Sequence, residues 1–120
     1  MTLPNVQLHY LYRDSSNYKL HGTVVFANPN HMQATAIWRK LIAAVNNVTL
    51  ISDMPLFRPE WVGLPTVFLF EKLGFTRNSD DHDWHELMGV EETDAACTSC
   101  SELTIEAFIR KLARTHKKPN

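Results

Sequence analysis

The chain has 120 residues, 44% hydrophobic and 21% charged, with 12 Lys and Arg against 13 Asp and Glu. That composition argues against a disordered chain, and the near-neutral total against a dedicated nucleic-acid binder, which shows a strongly basic face. The apolar runs are a few residues long, far short of the ~20 a spanning helix needs, and two cysteines make no disulfide framework.

Val6, Leu8, Tyr10 and Tyr12 alternate with their neighbours and predict a strand with one buried side. After turn chemistry at Asp14–Asn17, a second strand over 19–27 sets Leu20, Gly22, Val24 and Phe26 on one face. Strands so close in sequence pair most simply as an antiparallel hairpin. Asn28-Pro29-Asn30 then breaks the ladder, because proline has no N–H to give it.

A helix is predicted over 31–46 with Asn30 as its cap, since Ile37, Leu41, Ala44 and Val45 form an apolar stripe at helical spacing. Val48–Ile51 reads as a short strand. Residues 53–65 combine Pro55, Pro59, Gly63 and Pro65 with Phe57, Trp61 and Val62, a loop too apolar to be merely solvated. It is expected to fold over an edge of the core or to present Phe57, Arg58 and Trp61 as a patch. Thr66–Phe70 and Asp83–Val90 are predicted strands, and Thr104 caps a last helix carrying Ile105, Phe108, Ile109 and Leu112. The order β-β-α-β-β-β-α indicates an α+β two-layer sandwich with a mainly antiparallel sheet. One domain over 1–116 is expected, with 117–120 a flexible basic tail.

Charge is segregated along the chain. The first 77 residues hold seven basic and four acidic side chains; residues 78–106 hold nine carboxylates and no Lys or Arg; the last 14 hold five basic residues and no acid. Such a field attracts cations or basic partners. Asp80, Asp81, Asp83, Glu91, Glu92 and Asp94, with Trp61, are therefore the candidate partner-binding residues, and the expected partner is a protein with a basic surface.

The same window holds His82, His85, Cys97 and Cys100, two pairs with the two-residue gap that suits tetrahedral zinc. Against zinc, a strand through His85 would turn His82 and His85 to opposite faces. A metal-dependent enzyme would use the same histidines with the neighbouring acids around a hard cation, yet no basic residue or phosphate-cradling loop lies in the window. Redox chemistry at Cys97 and Cys100 is opposed by the acidic run, which raises a thiol pKa. An acidic mimic of nucleic acid is a further possibility. No Gly-x-Ser-x-Gly elbow, Gly-x-Gly-x-x-Gly or P-loop is present.

Tyr18-Lys-Leu-His-Gly-Thr-Val-Val-Phe-Ala-Asn-Pro29, together with Trp84-His-Glu-Leu-Met-Gly-Val-Glu-Glu-Thr-Asp94, resembles a family of small bacterial proteins of unassigned activity. The resemblance implies a His-Gly-x-Val-Val-Phe-x-Asn-Pro strand leading into a helix, then a Gly-(Leu/Val)-Pro strand, a Trp-His-Glu strand, an acidic turn and a final helix. It also implies a bacterial-type cytosolic setting and no particular activity; Cys97 and Cys100 lie outside its pattern. The expectation is a non-catalytic, cytoplasmic protein-binding domain, with an immunity, antitoxin or anti-defence role suited by analogy. No cofactor is required; zinc at His82, His85, Cys97 and Cys100 is the rival reading. Gly22 is expected to let Tyr10 or Trp84 pack closely, and Trp84, His85 and Glu86 to cluster with His21.

Overall fold

The computed structural model describes residues 3–13, 18–45, 55–68, 74, 84–98 and 103–116. Strands β1 (Asn5–Arg13) and β2 (Lys19–Ala27) form the expected antiparallel hairpin, in register from Asn5↔Ala27 to Arg13↔Lys19. On the other side of β1 lies β4 (His85–Thr93), also antiparallel, and the two-residue β3 (Leu56–Phe57) adds to β4. The sheet order is β2-β1-β4-β3. Helices α1 (Ala34–Val45) and α2 (Ile105–Thr115) join the same hydrophobic cluster as Val6, Leu8, Tyr10 and Tyr12. The fold is the two-layer α+β arrangement that the hairpin and the two apolar helical stripes require.

Several elements differ from the sequence reading for physical reasons. Helix α1 begins three residues late, because His31 takes a left-handed backbone (φ 52°) that an α-helix cannot continue. The corner is instead held by Asn28, fully buried, whose Oδ1 accepts the Met32 N–H at 3.1 Å while its Nδ2 donates to the Met32 carbonyl at 2.9 Å. Asn30 donates to Glu106 on α2 rather than capping α1. Residues 66–68 belong to no strand: Val67 and Phe68 are buried, but the Val67 N–H is taken by the His85 ring, not by a ladder. The strand predicted at Val48–Ile51 lies outside the described residues.

Strand β4 carries a bulge. Tyr10 faces Leu87 and His9 faces Gly89, so Met88 is an extra residue that the partner does not match. The bulge moves Val90, opposite Leu8, onto the side of Leu87 and away from the face that simple alternation gives it. Beyond β4, residues 94–98 pass the end of β1, where Asn5 Nδ2 donates to the Ala95 carbonyl at 2.6 Å. They reach the outer edge of β2, where Thr98 N–H donates to the Val25 carbonyl and Thr98 Oγ1 accepts the Val25 N–H. Ala27 and Thr104 add a parallel bridge, so part of an otherwise open sheet edge is covered. Thr104 caps α2 as its sequence predicts, its Oγ1 accepting the Ala107 N–H at 3.1 Å. Among the described residues no helix is long and apolar enough to cross a membrane.

Gly22 sits directly opposite Tyr10, and a Cβ there would lie 2.9 Å from Tyr10 Cζ and 3.0 Å from Val67 Cγ1. Gly22→Ala is therefore expected to destabilise by about 1–3 kcal/mol in urea unfolding, because a buried ring and a packed loop must both move. A change below about 0.5 kcal/mol would contradict this contact. Asn28→Ala removes the partner of two part-buried Met32 backbone groups and is expected to cost about 1–2 kcal/mol in the same assay.

Candidate functional site

Residues 55–68 run along the edge of β4 and are tied down at four points. The Pro55 carbonyl accepts the Leu87 N–H at 2.9 Å, and the Pro65 carbonyl accepts the Tyr10 hydroxyl at 2.7 Å. The Arg58 N–H donates to His116 Nε2 at 2.9 Å, and the Val67 N–H donates to His85 Nε2 at 3.1 Å. Both histidines are fully buried. A ring nitrogen that accepts carries no proton, so both imidazoles are neutral with the proton on Nδ1. In His116 that Nδ1 lies 3.1 Å from the Leu112 carbonyl and 3.0 Å from Thr115 Oγ1.

These environments move two acidities. Burial pushes the Tyr10 hydroxyl up to about 12, so it stays a donor to Pro65 at any physiological pH. Burial holds the His116 imidazole below its ordinary range; the Leu112 carbonyl opposes that shift and the Arg58 charge adds to it.

Between its anchors the segment makes a tight turn, Pro59–Trp61, whose Pro59 carbonyl accepts the N–H groups of both Val62 and Leu64 at 3.0 Å. Gly63 supplies the positive φ of 76° that this reversal needs. The turn lifts Trp61 to the surface, 40% exposed, but does not leave it loose. The Arg58 guanidinium lies 4.7 Å from the centre of the Trp61 ring and 5.6 Å from that of Trp84. Trp84 meets Trp61 edge-on at 5.8 Å, and the His116 ring backs Trp61 at 5.1 Å. Arg58 Nε also pairs with Glu60 at 2.9 Å. Tryptophan faces attract a guanidinium with about 0.5–1 kcal/mol per contact at an exposed site, so these contacts together bias the patch toward the packed arrangement.

The sequence-predicted residues divide. Trp61 is in this patch. Glu91, Glu92 and Asp94 stand at the far end of β4, roughly 23–33 Å of chain away from Trp84. Glu91 is exposed and its Oε1 lies 2.8 Å from His9 Nε2; Asp94 is exposed; Glu92 is half-buried, with one carboxylate oxygen out of solvent. Two other acids of the window have partners within the chain, the buried Glu86 with Arg13 at 2.8 Å and Glu106 with Asn30 at the surface. Asp80, Asp81, Asp83, His82 and Cys100 lie outside the described residues.

His85 is packed among the rings of Tyr10, Tyr12, Phe57 and Phe68, with its Nε2 committed to Val67; Cys97 is exposed. Among the described residues no three His, Cys, Asp or Glu side chains are grouped to hold a metal ion. The expected cluster with His21 is not formed: Trp84 turns to Trp61, His85 to Val67 and Glu86 to Arg13, while His21 is exposed opposite Leu11. An open trough of about 480 Å³ between α1 and β4 is lined by Thr35, Trp38, Arg39, Met88, Gly89 and Val90, a set with no acid–base or nucleophilic pair.

Comparison with protein-family models, curated proteins and solved structures found no match. The functional reading rests on the geometry of the patch. Two of its members, Trp84 and His116, were not picked out as partners of Trp61 from sequence. For His116 the signal was present: the buried stripe Ile105, Phe108 and Leu112, carried one more turn, lands on residue 116.

His85→Leu keeps apolar bulk but strands the Val67 N–H, and is expected to cost about 1–3 kcal/mol. Prolonged chelation of the wild-type protein is expected to leave the melting temperature unchanged. A chelator-induced drop as large as that of the variant would give His85 a metal-binding task instead.

Proposed function

We propose that this protein is a non-catalytic, cytoplasmic protein-binding domain that docks a partner with a basic surface. Trp61 and Arg58 form the anchor, and the carboxylates of the acid-rich segment supply the field that draws the partner in. The observation that carries this reading is an exposed tryptophan packed against an arginine, a second tryptophan and a buried histidine. Tryptophan and arginine dominate the residues whose loss most weakens protein interfaces, and a side chain ordered before binding loses little entropy on contact.

The charge pattern supports a basic partner. In sequence Asp80, Asp81 and Asp83 immediately precede Trp84, and Glu91 and Asp94 are exposed at the other end of the strand that Trp84 opens. A partner's lysines and arginines would be steered by these acids, while its apolar side chains would meet the aromatic patch, whose rings already carry Arg58. Neither task needs bond-making chemistry.

The test is affinity capture from cells that make the protein, followed by titration of the isolated partner. Trp61→Ala is expected to weaken binding at least about thirtyfold, the loss typical of an anchor residue. Raising salt from about 0.1 to 0.5 M is expected to weaken the wild-type complex, mainly through a slower on-rate. A complex insensitive to both changes contradicts the reading. So does near-stoichiometric zinc in the purified protein that is lost in a Cys97→Ser, Cys100→Ser variant.

A further inference from the structure

His116 is placed where a proton would matter. Its Nε2 lone pair is the only feature of the ring that can accept the Arg58 N–H, and that bond fixes the start of the turn bearing Trp61. The ring is also the inner wall of the patch, 5.1 Å from Trp61, 6.4 Å from Trp84 and 6.5 Å from Phe57. We propose that His116 is a pH-sensitive latch for the patch: neutral, it holds Arg58 and Trp61 in the docking arrangement; protonated, it releases them.

The steps follow from atom balance at the ring. A proton from solvent adds to Nε2 and converts the acceptor into a donor. The Arg58 N–H then faces another N–H, and both cannot stay. The new cation also adds to the positive charge of Arg58 and is surrounded by aromatic carbon, with the Leu112 carbonyl and Thr115 hydroxyl as its polar neighbours. The turn must move away from the end of α2, and Trp61 loses the ring behind it.

The charged groups around the latch favour this direction. From the turn come Arg58, which opposes protonation, and Glu60, which is paired with it. From α2 come Lys111, whose Nζ lies 3.6 Å from where a Gly63 Cβ would be, and Arg114, two residues before His116. From the β4 side Trp84 is uncharged and follows Asp83 in sequence, and beyond Phe57 stands His85. Burial and Arg58 put the transition below the ordinary histidine range of about 6.5.

The sign is definite. A histidine held neutral by the fold binds fewer protons than the unfolded chain does. The latch is therefore closed above about 6.5 and is lost as pH falls through the lowered value.

The consequence for binding rests on the patch being the docking surface, but the latch is read without any partner, so the two ideas fail separately. The experiment is an NMR titration of the intact protein from pH about 8 to 5, following the His116 ring nitrogens, the Arg58 amide and the Trp61 indole N–H. In the wild type all three are expected to move together with one midpoint below 6.5. In His116→Gln, whose amide oxygen can accept the Arg58 N–H but does not titrate here, the Arg58 and Trp61 signals are expected to stay still. The Val67 amide reports separately on His85. The latch is overturned if His116 protonates while Arg58 and Trp61 do not move, or if it stays neutral to the end of the titration. It is equally overturned if both signals move as far in His116→Gln. Should that variant not fold, the wild-type ring and indole curves alone decide, by coincidence or its absence. A working latch with no partner found would sink only the functional reading.

Discussion

Two buried imidazoles, each accepting one backbone N–H, hold the only described segment that is neither a long strand nor a helix yet contributes heavily to the core. Arg58 gives its N–H to His116 and Val67 gives its N–H to His85. A buried N–H without an acceptor costs as much as the loss of a hydrogen bond, and residues 58 and 67 have no ladder partner. The histidines thus do for this segment what a neighbouring strand does for β1. Because each comes from a different element, the start of β4 and the end of α2, the segment also fastens the sheet to the helix layer.

The surface patch is a by-product of this arrangement. With both ends of residues 58–67 fixed, the tight turn at Pro59–Trp61 has one geometry, and Trp61 emerges at one place. Tyr10 completes the clamp from the centre of the sheet. Its hydroxyl reaches the Pro65 carbonyl, its ring meets Phe57 at 5.5 Å, and glycine at position 22 leaves the space it occupies. A core hydrogen bond, a ring contact and a missing Cβ in β2 therefore set the position of a tryptophan on the surface. Rigidity of this kind suits recognition, where ordering a side chain before contact saves entropy.

Much of the fold was legible because it follows from periodicity. The hairpin, the buried faces of β1, both helices and the Thr104 cap each follow from period 2 or period 3.6, and each is present. Gly22 was also legible as a point of close approach, and Tyr10 is the residue that uses it. What was not legible depends on pairings distant in sequence. The one local sign of the bulge at Met88 is the isolated glycine beside it, Gly89, and simple alternation along the strand overrides it. Thr66–Phe70 reads as a strand because it is apolar, but in its described part, residues 66–68, the Val67 N–H goes to a histidine. His85 looked like a ligand candidate from its neighbours His82, Cys97 and Cys100, when ring packing from Tyr12 and Phe68 already surrounds it. The acidic window was read as one belt, yet Glu86 and Glu106 are spent on internal partners that sequence spacing does not reveal.

If the imidazole acceptors hold residues 58–67 as described, their amides must be shielded although the segment is irregular. Native-state hydrogen exchange at about pH 7.5 measures this directly. The Arg58 and Val67 amides are predicted to exchange nearly as slowly as the amides of β1, reporting opening energies close to that of global unfolding. Exchange at the rate of an exposed loop, with β1 still protected, would contradict the clamp and the patch geometry built on it.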